Sequence, residues 1–209
     1  MVSKMKNIIT LLFVFMLSGC SVFSEPEPEL APEGISLTWE THQQSIATLS
    51  KWSISAKLAI FLKDERETAN LYWEQNQDNY NIQLTSFIGT RILSIKKNKD
   101  GVEIINNDGD TFTGNNAEQL IQEISPGLNL PISALQQWIK GNPINASYTL
   151  NEQQRVSTLL GENLDSSAWQ IKYQQYQYFS GIALPRKLDL KRDNLRLKIA
   201  INQWQIDKQ

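Results

Sequence analysis

The chain has 209 residues, 41% of them hydrophobic, and its 20 Lys and Arg against 22 Asp and Glu leave a formal net charge of -2. That balance argues against a nucleic-acid partner, which needs a clustered basic surface, and the length suffices for one domain with a sizeable core without demanding two. A single cysteine and a single histidine supply neither an internal disulfide nor a thiolate metal site, so no cofactor or metal is expected and the fold must stand on its packing.

Lys4 and Lys6 precede an uncharged apolar run from Ile8 to Leu17, then small Ser18 and Gly19, then Cys20. This is the charged, apolar and small-residue order of a secretory signal. A run of about ten apolar residues cannot span a bilayer core that takes roughly 20 in a helix. Leu17-Ser18-Gly19-Cys20 resembles the bacterial lipoprotein cleavage box. The resemblance implies a signal peptide over residues 1–19, a diacylglycerol on the Cys20 thiol and a third acyl chain on the new amino terminus. Three chains, at about 0.8 kcal/mol per buried methylene, exceed the two signals that stable anchoring takes. By the same resemblance an Asp after the cysteine would retain the product in the inner membrane, and this chain has Ser21. The expected location is therefore the outer membrane of a Gram-negative bacterium, lipid-anchored and facing the periplasm. Glu25 to Gly34 is proline and acid with little to bury, so residues 20–35 read as a lipidated cysteine on a flexible tether and residues 36–209 as the folded domain.

Trp39, His42, Ile46 and Leu49 follow at spacings of three, four and three, one stripe of an amphipathic helix. Period two then takes over: Trp52, Ile54, Ala56, Leu58, Ile60 and Leu62 alternate with polar residues, as do Ala69, Leu71 and Trp73 after a charged turn expected over Lys63 to Glu67. Tyr80, Ile82 and Leu84 give a third strand, antiparallel to its neighbour by the hairpin rule. Asp100-Gly101 and Asp108-Gly109 mark tight turns around Val102 to Asn106 and Thr111 to Thr113.

Asn116 with Gln119 resembles a capping box for a short helix carrying Leu120, Ile121 and Ile124. Pro131 opens a further helix with Ile132, Leu135, Trp138 and Ile139 on one face, and Gly141 closes it. Strands resume at Tyr148 to Asn151, Gln154 to Leu160, Trp169 to Tyr176, Lys187 to Lys191 and Leu195 to Ile201. Trp204 and Ile206 fall on the opposite parity from Leu195, Leu197, Ile199 and Ile201, so a bulge is expected near Asn202. The expectation is a mainly β protein of roughly ten or eleven antiparallel strands, a strongly curved sheet or incomplete barrel with helices over its open side. Its inward positions would line an apolar hollow.

From Trp39 to Trp204 the chain resembles the LolB family, outer-membrane receptors of the lipoprotein-localisation pathway. The residues that carry the likeness are Trp52–Ala59, Leu71–Gln75, Tyr80–Gly89, Leu130–Pro143, Trp169–Tyr173, Leu184-Pro185 and Leu195–Ile201. The resemblance implies an unclosed antiparallel β-barrel of about eleven strands under a helical lid. It further implies that acylated lipoprotein cargo arrives from the periplasmic carrier LolA and leaves for outer-membrane lipid without nucleotide hydrolysis. Candidate acyl-chain lining residues are Trp52, Ile54, Leu58, Leu71, Trp73, Ile82 and Leu84 from the sheet, with Leu135 and Trp138 from the lid; each is also an ordinary core position. A monomer is expected.

Ser86 to Thr90 joins two strands where a polar tip is usual, yet it holds Phe87 and Ile88 beside Gly89. In the family the matching apolar loop residue, here Ile88, delivers cargo into the membrane. The family commonly has Pro-Leu-Gly at this point, and this chain lacks the proline. Burying both side chains in lipid is worth roughly 3 to 6 kcal/mol; the alternative is that they plug the end of the barrel. Two further readings stand beside the receptor. An enzyme would have to work with His42 alone or with carboxylates. A structural outer-membrane lipoprotein supporting an assembly complex would have a tightly packed interior.

Overall fold

The computed structural model describes residues 38–63, 65–126, 128, 130–161 and 167–207. Cys20 and the tether over 20–35 lie outside the described residues. Helix α1 (Trp39–Ala47) is capped by Thr38, whose hydroxyl accepts from the Thr41 amide, and it buries Trp39, His42 and Ile46. Leu49, the fourth member of the expected stripe, is buried just beyond it.

Six strands follow as a meander: β1 (Lys51–Leu62), β2 (Glu65–Asn76), β3 (Asn79–Thr85), β4 (Arg91–Asn98), β5 (Gly101–Ile105) and β6 (Thr111–Gly114). The first hairpin is tighter than its charges suggest. Lys63 takes a positive φ of 55° and β2 begins at Glu65, so the acids and Arg66 pair as strand. They are exposed, which is why burial alternation does not mark them. Strand β4 is likewise faint in the sequence, because Ile95 is its one buried residue.

Helix α2 (Ala117–Ile124) and helix α3 (Ile132–Trp138) occupy the connection to the second group of strands. Asn116 caps α2 by accepting from the Gln119 amide at 2.9 Å. Pro131 stands at the N-cap of α3, and Gly141, with φ of 80°, turns the chain away beyond it.

The remaining strands are β7 (Ala146–Leu150), β8 (Val156–Gly161), β9 (Gln170–Phe179), β10 (Ile182–Arg192) and β11 (Leu195–Ile206). All eleven form one sheet in the order β6-β5-β4-β3-β2-β1-β11-β10-β9-β8-β7. Every pairing is antiparallel. The last strand closes on the first in the middle, and β6 and β7 remain as free edges, so the barrel is open. The α2–α3 segment is the link between those two edges.

Ser55 pairs with Gln203 and Ala56 with Ile201, which leaves Asn202 as the extra residue of a bulge. The parity switch lets both Ile201 and Trp204 face the core, and both are buried. Pro185 in β10 has no amide hydrogen to donate, and the register with β9 shifts beside it.

Candidate acyl-chain interior and exposed loop

All nine predicted lining residues belong to one apolar cluster between sheet and helices. Trp52, Ile54, Leu58, Leu71, Trp73, Ile82, Leu135 and Trp138 are buried, and Leu84 is half-buried against them. The cluster is aromatic at its centre: Trp52 sits 5.5 Å from Trp73 and 5.4 Å from Trp204, ring centre to ring centre, in tilted contacts. The indole N–H groups of Trp73 and Trp204 are satisfied locally. Trp73 donates to the Gln75 side chain at 3.1 Å and Trp204 to the Pro185 carbonyl at 3.0 Å.

The C-terminal end of α3 is held by polar contacts that sequence patterning did not reveal. Tyr173 on β9 donates its hydroxyl to the Trp138 carbonyl at 2.6 Å, while Tyr176 of the same strand ties β9 to β8 by donating to the Val156 carbonyl at 2.8 Å. Burial pushes both phenols well above their usual range. Lys140, almost wholly buried, donates from Nζ to the Leu49 carbonyl at 2.8 Å, and burial lowers its pKa to about 8. Gly161 is required by shape: a Cβ there would stand 2.4 Å from the Trp138 ring.

His42 packs beside Trp39 with ring centres 5.9 Å apart. Burial first, and the Arg155 charge second, lower its pKa to about 3. Its Nε2 has no hydrogen-bond partner in the structure, and no group of three or more metal-ligating side chains occurs among the described residues.

The loop between β3 and β4 is fixed by its own backbone. The Ser86 amide donates to the Thr90 carbonyl at 2.8 Å, the Gly89 amide to the Ser86 carbonyl at 3.0 Å and the Thr90 amide to the Ser86 hydroxyl at 3.1 Å. Asn70 on β2 adds a bond to the Ser86 carbonyl at 2.8 Å. Gly89 takes φ of 88°, a region open to glycine. Phe87 and Ile88 are 88% and 72% exposed. They stand out in solvent and do not plug the end of the sheet.

Residues 50–204 match the family model described as outer membrane lipoprotein LolB. The chain belongs to the LolB family. Among its relatives, the outer-membrane lipoprotein LolB of Psychromonas ingrahamii is 39% identical over 198 residues, 95% of each chain. That of Aeromonas hydrophila is 32% identical over 202 residues, 97% of each chain. A LolA-superfamily protein of Nitrosomonas europaea, 6% identical, superposes with a TM-score of 0.54 over 83% of this chain and 96% of that one, which shows a shared fold. Family membership makes this an outer-membrane lipoprotein with a role in lipoprotein localisation, and not an enzyme.

Proposed function

We propose that the protein receives acylated lipoproteins from the periplasmic carrier LolA, houses their acyl chains between the sheet and the α2–α3 segment, and releases them into the outer membrane without nucleotide hydrolysis. A triacylated cargo cannot cross water. It therefore needs an apolar interior that can face another, and its chains must reach lower free energy at each transfer, a gradient set by burial and packing. The chain's own Cys20 acts as a tether, and the protein works as a monomer.

The observation that carries this reading is the exposed Phe87-Ile88 pair on a hydrogen-bonded loop. Two large apolar side chains held out in water invite contact with lipid. The interior cluster supplies the acyl site once α2 and α3 move off the sheet. One observation favours a structural lipoprotein instead: Trp52, Trp73 and Trp204 already pack ring against ring.

Cargo reception tests the proposal. The protein secreted under a cleavable signal, with Cys20→Ala, is incubated with carrier loaded with lipoprotein. It should take up the cargo and remain soluble. Failure to take it up, by a protein that melts normally, would overturn the receptor reading in favour of the structural one.

A further inference from the structure

The outer face of the sheet carries a segregated positive charge. Side chains of the parity opposite to the core place exposed Lys57 on β1, Arg66 on β2, Lys172 on β9, Lys187 on β10 and Lys198 on β11. The register brings them together. Lys57 and Lys187 both pair with Ala200, while Lys198 lies opposite Asp189, which lies opposite Lys172. On this face, among the described residues, Asp189 is the acid within the patch, and Arg196 occupies it through two hydrogen bonds of 2.8 and 2.5 Å; Glu65 and Glu67 stand exposed on the other parity of β2, either side of Arg66. Among the described residues no other ion pair is formed there. Acids of the same face stand at the far end of the sheet, with Glu74 opposite Ser53 and Asp207 beyond β11.

The basic end is also the loop end. A groove of 440 Å³ is lined by Lys57, Arg66, Lys187 and Lys198, and Phe87 forms part of its wall. Lys57 donates to the Asn70 side chain, and Asn70 donates onward to the Ser86 carbonyl at 2.8 Å, so the patch and the loop are one hydrogen-bonded unit. Phe61 lies in the same face with the Arg66 guanidinium 5.3 Å and the Lys198 ammonium 5.8 Å from its ring centre.

From this arrangement we infer that the basic outer face of β9-β10-β11-β1-β2 docks on an anionic phospholipid surface, its lysines and arginine facing the headgroup phosphates while Phe87 and Ile88 enter the interface. Charge complementarity selects the partner, and continuity with an exposed apolar pair selects a membrane over an acidic protein. In a chain of net charge -2 such an end also orients the molecule as it approaches. The inference rests on the proposed membrane contact of the loop but not on cargo reception.

The test measures binding of the cargo-free, Cys20→Ala secreted protein to vesicles of phosphatidylcholine alone and of phosphatidylcholine mixed with phosphatidylglycerol. Binding should rise with phosphatidylglycerol and fall with added salt. Each cation removed should lower it roughly fivefold, so Arg66→Gln, Lys187→Gln and Lys198→Gln together cost about a hundredfold on anionic vesicles. The same triple variant should leave the weak binding to phosphatidylcholine and the melting temperature unchanged. Lys99→Gln, at the β4–β5 turn, serves as the control. Equal binding to both vesicle types, or a triple variant that binds anionic vesicles normally, would overturn the inference. A triple variant that binds vesicles normally but no longer takes cargo from the carrier would assign the face to the carrier instead. Loss of cargo uptake by the parent protein would sink the receptor reading and leave the vesicle result standing.

Discussion

Lys140 and Leu49 are 91 residues apart in sequence, yet the buried ammonium of one donates to the backbone carbonyl of the other at 2.8 Å. The bond ties the segment after α3 to the link between α1 and β1. Burial lowers the Lys140 pKa from 10.5 to about 8. Between those values the unfolded chain binds a proton that the folded chain does not, so stability should rise as pH rises from 8 to 10.5. The gain is on the order of 3 kcal/mol. Denaturant unfolding across that window should show a slope that Lys140→Met removes.

His42 acts in the same direction at acid pH. Its pKa falls from 6.5 to about 3 through burial and the Arg155 charge. Below 6.5 the unfolded imidazole protonates while the folded one stays neutral, so stability is lost as pH falls through that range. The loss reaches roughly 4 kcal/mol near pH 3. His42→Leu should flatten this part of the acid-stability curve, measured as the difference between parent and variant.

The Trp138 ring and Gly161 form a fit with no spare room, since a methyl at Gly161 would lie 2.4 Å from the ring. Gly161→Ala should destabilise by about 1–3 kcal/mol through overpacking. The atoms it meets belong to the six-membered ring of the indole, which a phenylalanine side chain does not reach. Adding Trp138→Phe should therefore recover part of the loss, a coupling that a double-mutant melting cycle reads.

Ile88→Glu should separate reception from delivery. Ile88 is 72% exposed, so the charge costs the fold little and the melting temperature should match the parent. Cargo uptake from the carrier should persist. Delivery to liposomes should fall at least about tenfold, because a carboxylate resists the interface and the apolar contribution is lost. Normal delivery would remove the loop from the mechanism.

Local signals in the sequence carried much of this architecture. The parity change between Ile201 and Trp204 located the bulge at Asn202, and Asn116, Pro131 and Gly141 marked helix ends. Alternation found the strands that bury a face and blurred those that do not: β4 buries Ile95 alone, and Glu65 to Thr68 are exposed strand. The contacts of Lys140 with Leu49 and of Tyr173 with Trp138 were not legible, because they join residues 91 and 35 positions apart. The basic face was hidden for the same reason. Its cations stand singly on separate strands, and Lys57 meets Lys187 and Lys198 only when β11 is laid against β1. The loop was readable from Phe87 and Ile88 themselves, but the bond that Asn70 adds to the Ser86 carbonyl comes from another strand and was not.

The central claim is that acyl chains occupy the interior around Trp52 and Trp73. Its most direct measurement is tryptophan emission of the cargo-free protein titrated with a lipopeptide whose acyl chains carry bromine, a contact quencher. Quenching should be saturable, should be reversed by an unbrominated lipopeptide, and should lose amplitude when Trp52 and Trp73, 5.5 Å apart in the cluster, are replaced by phenylalanine. Saturable binding without quenching would place the chains outside the interior and contradict it.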